Sequence, residues 1–267
     1  MHITKMEGLG NDYLYFFGEV PANVTELAVR LSDRHRGIGS DGLIYISDSD
    51  CADFRMRIFN ADGSEAKMCG NGIRCVGKYV YEKHLTQKEE LAIETGSGIR
   101  TLKLSVHNGI VTSVLADMGI GSVTKTVPVT WQGKTYTAVC VDVGNPHMVL
   151  FVEEEELSLV HTLGPVLEHH EAFPDGVNVE FVFVKSPASL RMRVWERGSG
   201  ITMACGTGAC ASAAAAVYAG HCSVGTPIAL ELDGGVLEIT VEPDGRIFMR
   251  GPARFAFEGE VEMGEGI

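Results

Sequence analysis

The chain has 267 residues, enough for one large domain or for two domains of about 130 residues that each bury a core. Its formal net charge of −13 at pH 7 argues against sequence-independent nucleic-acid binding and against attachment to an anionic membrane. The N-terminal residues lack the apolar core of a signal peptide and no run of about 18 apolar residues occurs, so we expect a cytoplasmic protein without a membrane span.

The first half of the chain is predicted to consist mostly of strands around one helix. It opens with two strands joined by a turn at residues 8–12, and Asn23 or Thr25 can cap a short helix. Asn60 stands at the end of a strand, before a turn signal at Asp62-Gly63. The later elements are predicted as strands at residues 43–46 and 54–59, a helix at residues 70–84, and two or three strands over residues 91–115.

The second half repeats this plan. The acidic run at residues 153–156 is typical of a solvated helix start, because acidic side chains complement the helix dipole there. Gly220 is a plausible terminator of a small-residue helix that we expect to be buried. The elements are predicted as strands at residues 127–143, 148–152, 177–184 and 191–195, helices at residues 157–170 and 206–219, and hairpins over residues 228–257.

Corresponding features of the two halves recur at one spacing. Cys69 and Cys205 are 136 residues apart, and the same separation relates Arg55 to Arg191. Equal offsets indicate an internal duplication rather than a chance similarity of glycine-rich turns. We therefore predict an α+β fold of two pseudo-symmetric halves, each a mixed or antiparallel sheet wrapped around a central helix. The first half is placed at residues 1–118 and the second at residues 119–254.

The seven cysteines are predicted to be free thiols, because their number is odd and no secretory signal is present. No C-x-x-C motif occurs and no pair of histidines at metal spacing accompanies the cysteines, so we predict no metal site. A thiol-redox protein, a metal-binding protein and an inactive amino-acid-binding module are alternatives. The missing C-x-x-C argues against a redox or metal-binding protein. The presence of both Cys69 and Cys205 argues against an inactive binding module.

Cys69 and Cys205 are each predicted at the entry of a helix, beside backbone N–H groups and the positive end of the helix dipole. That position is expected to lower the pKa of a thiol. The G-N-G and G-T-G sequences that follow provide backbone N–H groups able to bind an anion. Two thiols of this kind suit a proton transfer in which one removes a proton from a carbon acid and the other delivers one to the opposite face, without a cofactor.

Seven short motifs extend over nearly the whole chain. They are G-L-G-N-D at residues 8–12, F-N-A-D-G-S at 59–64, M-C-G-N-G at 68–72, G-N-P-H at 144–147, V-N at 177–178, W-E-R-G at 195–198 and A-C-G-T-G at 204–208. Together they resemble the diaminopimelate epimerase family. Proline racemases share the general plan, but they carry M-C-G-H-G in place of the first cysteine motif.

The resemblance implies roles for individual residues. Cys69 and Cys205 would be the acid/base pair, with His147 and Glu196 positioning or polarising the reacting centre, and Arg197 would bind the distal carboxylate. The remaining substrate contacts would come from Asn11, Asn60, Asn145, Asn178 and Glu196, and from Gly70, Asn71, Gly206 and Thr207 around the reacting carboxylate. The segment at about residues 255–267 would return to the first half.

The implied activity is the cofactor-independent epimerisation of LL-2,6-diaminopimelate to the meso form, in lysine and peptidoglycan precursor biosynthesis, by a homodimer. A related amino-acid racemase with a different small-molecule substrate is the alternative. Two departures from the family pattern bear on fine substrate specificity: Gly42 stands where some members carry Gln, and Ile201 stands where many carry Glu.

Overall fold

The computed structural model describes residues 1–261, which divide into two compact units. Unit 1 comprises Met1–Ala116 together with the segment that starts at Pro252, and unit 2 comprises Asp117–Gly251. Of the C-terminal segment predicted to return to the first half, residues 262–267 lie outside the described part. Within the described part, no helix is both long and apolar enough to cross a lipid bilayer.

Eighteen strands and four α-helices follow one another along the described chain. The elements up to residue 120 are β1 (His2–Gly8), β2 (Asn11–Phe17), α1 (Val24–Ser32), β3 (Gly42–Ser47), β4 (Phe54–Asn60), β5 (Glu65–Ala66), α2 (Gly70–Glu82), β6 (Glu90–Thr95), β7 (Gly98–His107) and β8 (Ile110–Ile120). The later elements are β9 (Ser122–Trp131), β10 (Lys134–Asp142), β11 (Pro146–Phe151), a 3₁₀ helix (Glu154–His161), α3 (Gly164–Leu167), β12 (Asn178–Ser186), β13 (Ser189–Glu196), β14 (Gly200–Ile201), α4 (Gly206–Tyr218), β15 (Ile228–Leu232), β16 (Gly235–Val241), β17 (Arg246–Gly251) and β18 (Arg254–Glu260).

Unit 1 is a mixed sheet in which antiparallel pairs alternate with two parallel ones. The strand β1 lies between β2 and β18 and is antiparallel to both. The pairs β2–β3 and β4–β6 are parallel, whereas β3–β4, β6–β7 and β7–β8 are antiparallel. Each parallel pair is joined by a segment that contains a helix, as parallel connections require.

Unit 2 repeats these pairings strand for strand. The strand β10 lies between β9 and β11, the pairs β11–β12 and β13–β15 are parallel, and β12–β13, β15–β16 and β16–β17 are antiparallel. The helices α2 and α4 have 13 residues each and start 136 positions apart. The predicted fold class is therefore confirmed, with equivalent strand pairings and a 13-residue helix in both units.

The central helix α4 is buried because its residues are small. Ten of its 13 residues are buried, including every position from Gly208 to Ala216. It packs against β9, β10, β11, β12, β13, β15, β16 and β17, all in unit 2. Alanine, glycine and serine side chains allow strands to approach a helix closely around its whole circumference. In α2 a glycine has the same effect, since a Cβ at Gly77 would lie 3.0 Å from the nearest side-chain atoms of Leu102 and Leu104.

The helix predicted at residues 157–170 is wrong. A 3₁₀ helix occupies Glu154–His161 and the four-residue α3 follows at Gly164–Leu167. Pro165 explains the interruption, because proline has no N–H to donate to the preceding turn and is accommodated in the first turn of a helix. The acidic run contributes a capping box instead, in which the side chains of Glu153 and Glu156 accept hydrogen bonds from each other's backbone N–H.

Candidate active site

Cys69 is the N-cap residue of α2. Its backbone is extended, with φ −141° and ψ 114°, and its Sγ accepts a hydrogen bond of 3.3 Å from the backbone N–H of Gly72. The side chain is partly buried and also donates to Oδ1 of Asn11 at 3.3 Å. The sulfur thus takes the place of the serine or aspartate oxygen that usually caps a helix.

The amide of Asn11 is held in one orientation by an acidic neighbour. Its Nδ2 donates to Oδ2 of Asp41 at 2.6 Å, which directs Oδ1 toward Cys69. Arg34 donates to both Asp41 and Asp12, at 2.8 and 2.6 Å, and so fixes the carboxylates. Tyr13 is hydrogen-bonded to Cys69, and burial, followed by the charge of Cys69, raises the pKa of its hydroxyl well above the usual value.

The other predicted residues of unit 1 lie at the ends of β4 and α2. Asn60 donates to Oγ of Ser64 at 3.0 Å. The side chain of Asn71 is buried, and its Oδ1 accepts from the fully buried guanidinium of Arg74 at 3.0 Å, while Arg74 also donates to the carbonyl of Gly70. The side chain of Asn71 is therefore part of the protein interior. The binding of a carboxylate by the backbone N–H groups of Gly70 and Asn71 stays a prediction.

Cys205 has the same position in unit 2. It is the N-cap of α4, with φ −114° and ψ 110°, and its Sγ accepts a hydrogen bond of 3.3 Å from the backbone N–H of Gly208. The hydroxyl of Thr207 lies 3.5 Å from the same sulfur. Gly206 is the first residue of the helix. Cys69 and Cys205 therefore cap their helices in the same way, as expected for a duplicated fold in which they are 136 residues apart.

Cys205 differs from Cys69 in its surroundings, because carboxylates lie near it. Glu196 is hydrogen-bonded to Cys205 and accepts a hydrogen bond from Oγ1 of Thr202. Burial raises the pKa of Glu196 above its ordinary value. Burial, Glu196 and Glu180 together raise the pKa of the Cys205 thiol well above its ordinary value, despite the donors Thr207 and Gly208. The expectation that the helix entry lowers the pKa of this thiol is therefore wrong, since desolvation and negative charge outweigh the helix terminus.

His147 is fully buried between two side chains. Its Nδ1 lies 2.6 Å from Oε1 of Glu180, which is also fully buried, and its Nε2 lies 3.1 Å from Oδ1 of Asn145. The strand β11 carries His147 and the parallel strand β12 carries Asn178 directly beside it. The parallel pairing thus gathers the G-N-P-H and V-N motifs, which are about 30 residues apart in the sequence, at one edge of the sheet.

Asn178 and Arg197 are held together. The backbone N–H of Arg197 donates to Oδ1 of Asn178 at 2.9 Å, and Nδ2 of Asn178 donates to the carbonyl of Pro146. The guanidinium of Arg197 is exposed and Nη1 donates to the carbonyl of Asp175 at 3.1 Å. Glu168 fixes the same loop, because it accepts from Nε1 of Trp195 and from the backbone N–H of Gly198.

The backbone conformation at position 42 and the closeness of the neighbouring strand explain why this residue is glycine. Its φ is +152°, and a Cβ there would lie 2.1 Å from the carbonyl oxygen of Phe59 in the neighbouring strand. A glutamine at this position would require the two strands to separate, so the glycine belongs to the present geometry. Ile201 is partly buried and packs against the apolar core of unit 2 with Trp195.

Four contact residues were not found from the sequence: Tyr13, Asp41, Glu168 and Glu180. Tyr13 lies in the aromatic-rich strand N-D-Y-L-Y-F-F at residues 11–17 and Asp41 in the glycine-rich segment G-I-G-S-D-G at residues 37–42, and neither segment distinguishes them as contact residues. Glu180 carried a signal, since it is the one charged residue in the apolar run V-N-V-E-F-V-F-V at residues 177–184. A charge in a strand that is otherwise apolar indicates a paired, functional carboxylate.

The comparisons with known proteins agree on one family. The family model described as diaminopimelate epimerase matches residues 3–123 and 139–256. The chain is 52% identical to a diaminopimelate epimerase of Bacteroides thetaiotaomicron over 262 residues, covering 97% of each chain. It is 50% identical to the Phocaeicola vulgatus enzyme, covering 97% of this chain and 98% of the relative, and 47% identical to a Methanococcus maripaludis enzyme, covering 98% and 100%.

Solved structures with low sequence identity share the fold. A phenazine biosynthesis protein of the PhzF family from Bacillus anthracis superposes with a TM-score of 0.79 at 16% identity, covering 98% of this chain and 99% of that one. A hydroxyproline epimerase from Agrobacterium vitis superposes with a TM-score of 0.75 at 16% identity, covering 100% and 93%. At this identity the likeness shows the fold alone.

Proposed function

The chain belongs to the diaminopimelate epimerase family, and from this premise we propose that it interconverts LL-2,6-diaminopimelate and meso-diaminopimelate without a cofactor. One observation supports the two-cysteine mechanism: a cysteine side chain caps the N-terminus of α2 and another caps that of α4, with the same geometry. Sγ of Cys69 and Sγ of Cys205 each accept a 3.3 Å hydrogen bond from the N–H three residues ahead. No other pair of thiols in the described residues has this arrangement.

The proton transfer needs two groups because the configuration of the carbon is inverted. One sulfur, as thiolate, takes the α-proton from one face, and the electron pair left on carbon is delocalised into the adjacent carboxylate. The other sulfur, as thiol, then gives its proton to the opposite face, so one proton leaves and one arrives. Backbone N–H groups at Gly70, Asn71, Gly206 and Thr207 suit the reacting carboxylate, because they direct positive dipoles at the developing charge.

The remaining contacts are proposed for substrate recognition. Arg197 suits the distal carboxylate, because its guanidinium is exposed and its planar fork can bind a carboxylate through two hydrogen bonds. Asn11, Asn60, Asn145 and Asn178 suit the ammonium and carboxylate groups of the substrate. We assign His147 and Glu196 to the surroundings of Cys205, where Glu196 contacts the sulfur.

The direct test is hydrogen exchange in deuterated water. The enzyme is incubated with LL-diaminopimelate, and deuterium at the α-carbon and the ratio of LL to meso forms are followed by NMR and chiral chromatography. We expect deuterium incorporation together with inversion in the wild-type enzyme, and both about a thousandfold or more slower in Cys69→Ser and in Cys205→Ser. L-proline, trans-4-hydroxy-L-proline and L-lysine serve as competing substrates. Faster turnover of one of these than of diaminopimelate would favour the alternative, an amino-acid racemase of another specificity.

We also propose a homodimer located in the cytoplasm. One chain has a mass of 28.7 kDa, so sedimentation equilibrium distinguishes a dimer from a single chain directly. A mass equal to that of one chain at micromolar concentration would contradict the dimer without affecting the assignment of the reaction.

A further inference from the structure

A buried carboxylate lies beneath the first turn of α4. Glu180 is 0% exposed, and a Cβ added at Gly208 would lie 2.8 Å from its Oε1 and 3.3 Å from Sγ of Cys205. The corresponding place in unit 1 is apolar, because a Cβ added at Gly72 would lie 2.7 Å from Cδ1 of Ile44. Ile44 and Glu180 are again 136 residues apart, so the duplicated fold accepts a branched apolar side chain at this position.

The carboxylate of Glu180 is costly for stability. One oxygen, Oε1, lies 2.6 Å from Nδ1 of His147, while Oε2 is buried with no hydrogen-bond partner within residues 1–261. A buried carboxylate oxygen without a partner opposes folding, and apolar residues of similar volume often stabilise a protein where a buried ion pair is replaced. Stability therefore does not account for Glu180, and its one strong contact points to His147.

The contact with Glu180 defines the orientation of the imidazole. A carboxylate can only accept, so Nδ1 of His147 must carry the hydrogen, and the ring is held with Nε2 directed at the amide of Asn145. We propose that Glu180 is a positioning residue for the epimerisation reaction, which holds His147 and thereby the residues around Cys205 in the reactive arrangement. This role rests on the proposed function, and Glu180 acts through His147 rather than on the substrate.

The kinetic test uses Glu180→Gln, His147→Asn and the double variant. Glutamine keeps the shape but can present either an oxygen or an NH₂ group to Nδ1, so it no longer imposes one hydrogen position. We expect kcat of Glu180→Gln to fall on the order of 10- to 100-fold, the loss typical when a carboxylate that orients a metal-binding histidine is replaced, with little change in KM. Because Glu180 acts through His147, adding Glu180→Gln to His147→Asn is expected to cause no further loss.

A spectroscopic test is independent of turnover. In the wild-type protein the ¹⁵N NMR signals of His147 are expected to show a hydrogen on Nδ1, and in Glu180→Gln this signature is expected to change. Glu156→Gln is the matched control, because that carboxylate is also in unit 2 but accepts from Lys134 and Tyr136, far along the sequence from either cysteine. We expect wild-type kcat and an unchanged His147 signal from this control.

Different outcomes would contradict the positioning role of Glu180 and the proposed function. Wild-type kcat with an unchanged His147 signal in Glu180→Gln, or additive losses in the double variant, would overturn the positioning role. If Glu180→Gln did not fold, Glu180→Asp would replace it, since it keeps the acceptor but shortens its reach, and wild-type kcat with an unchanged His147 signal there would likewise overturn the role. If the wild-type protein did not epimerise diaminopimelate, the proposed function would fail, while the NMR comparison would still decide whether Glu180 orients His147.

Discussion

The alanine substitution of Gly208 tests how tightly the first turn of α4 is packed around Cys205. The added Cβ would lie 2.8 Å from Oε1 of Glu180, below the 3.4 Å at which ordinary contacts begin. The carboxylate, or the helix, must therefore move by roughly half an ångström. The matched control is Gly72→Ala, at the same place in unit 1, where the Cβ would meet Cδ1 of Ile44 and Cε of Met56. These are the ends of flexible apolar side chains, which can rotate away.

The expected magnitudes differ between the two variants. At both positions overpacking costs about 1–3 kcal/mol, and the higher helix propensity of alanine returns up to about 1 kcal/mol. Only Gly208→Ala also weakens the 2.6 Å hydrogen bond between Glu180 and His147. A hydrogen bond to a charged group contributes about 1.5–3 kcal/mol, so Gly208→Ala should be less stable than Gly72→Ala by up to this amount. Its kcat should fall on the order of tenfold or more, because small displacements of reacting groups are costly.

Two measurements decide this prediction. Urea denaturation of both variants gives the difference in unfolding free energy, and the initial rate of meso-diaminopimelate formation gives kcat. Equal stability and equal kcat of the two variants would refute the argument, because they would show that the contact with Glu180 relaxes as easily as the contact with Ile44.

Four further predictions concern the cysteines and their partners. Cys69→Ser and Cys205→Ser should each slow epimerisation about a thousandfold or more, measured by deuterium incorporation, because a hydroxyl is far less acidic than a thiol. A mild oxidant should link Cys69 to Cys205, with activity restored by dithiothreitol; peptide mapping that finds only other pairs would count against a common substrate carbon. Arg197→Lys should raise KM and lower kcat for diaminopimelate in steady-state kinetics, because lysine cannot reproduce the planar fork; an unchanged kcat/KM would exclude this role. The unfolding free energy of Glu196→Gln, measured by urea titration relative to that of the wild type, should be higher at pH 7 than at pH 4. Burial raises the pKa of Glu196 above its ordinary 4.5, so the wild type loses stability as pH rises above that value, whereas glutamine does not titrate. An equal difference between variant and wild type at the two pH values would contradict this.

The duplicated architecture could be predicted because repetition is visible in the sequence. The equal offset of Cys69 and Cys205 placed two helix starts, and small residues after Cys205 indicated a buried helix. Pro165 also indicates an interruption, although the apolar spacing on either side of it favours one continuous helix. Local patterns therefore predicted the elements well where glycine, proline and a repeated motif agreed.

The electrostatics of the site could not be predicted in the same way. A cysteine at a helix start suggests a lowered pKa from local structure alone, yet Cys205 is surrounded by Glu180 from β12 and Glu196 from β13. These strands pair as a hairpin and α4 packs against both of them, and the burial that this packing creates is a property of the folded unit. The sign of the pKa shift therefore depends on contacts that no local pattern contains.

The last strand has a consequence for the synthesis of the protein. Unit 2 is continuous in the chain and has all its strands once residue 251 has left the ribosome. The first 116 residues of unit 1 are made earlier, but unit 1 lacks β18 until residues 254–260 are made. This strand pairs with β1 along its length. The buried guanidinium of Arg74 likewise donates to the carbonyl of Pro252. Since domains fold as units, the half that is translated first is completed last, and during translation β1 is a sheet edge open to wrong partners.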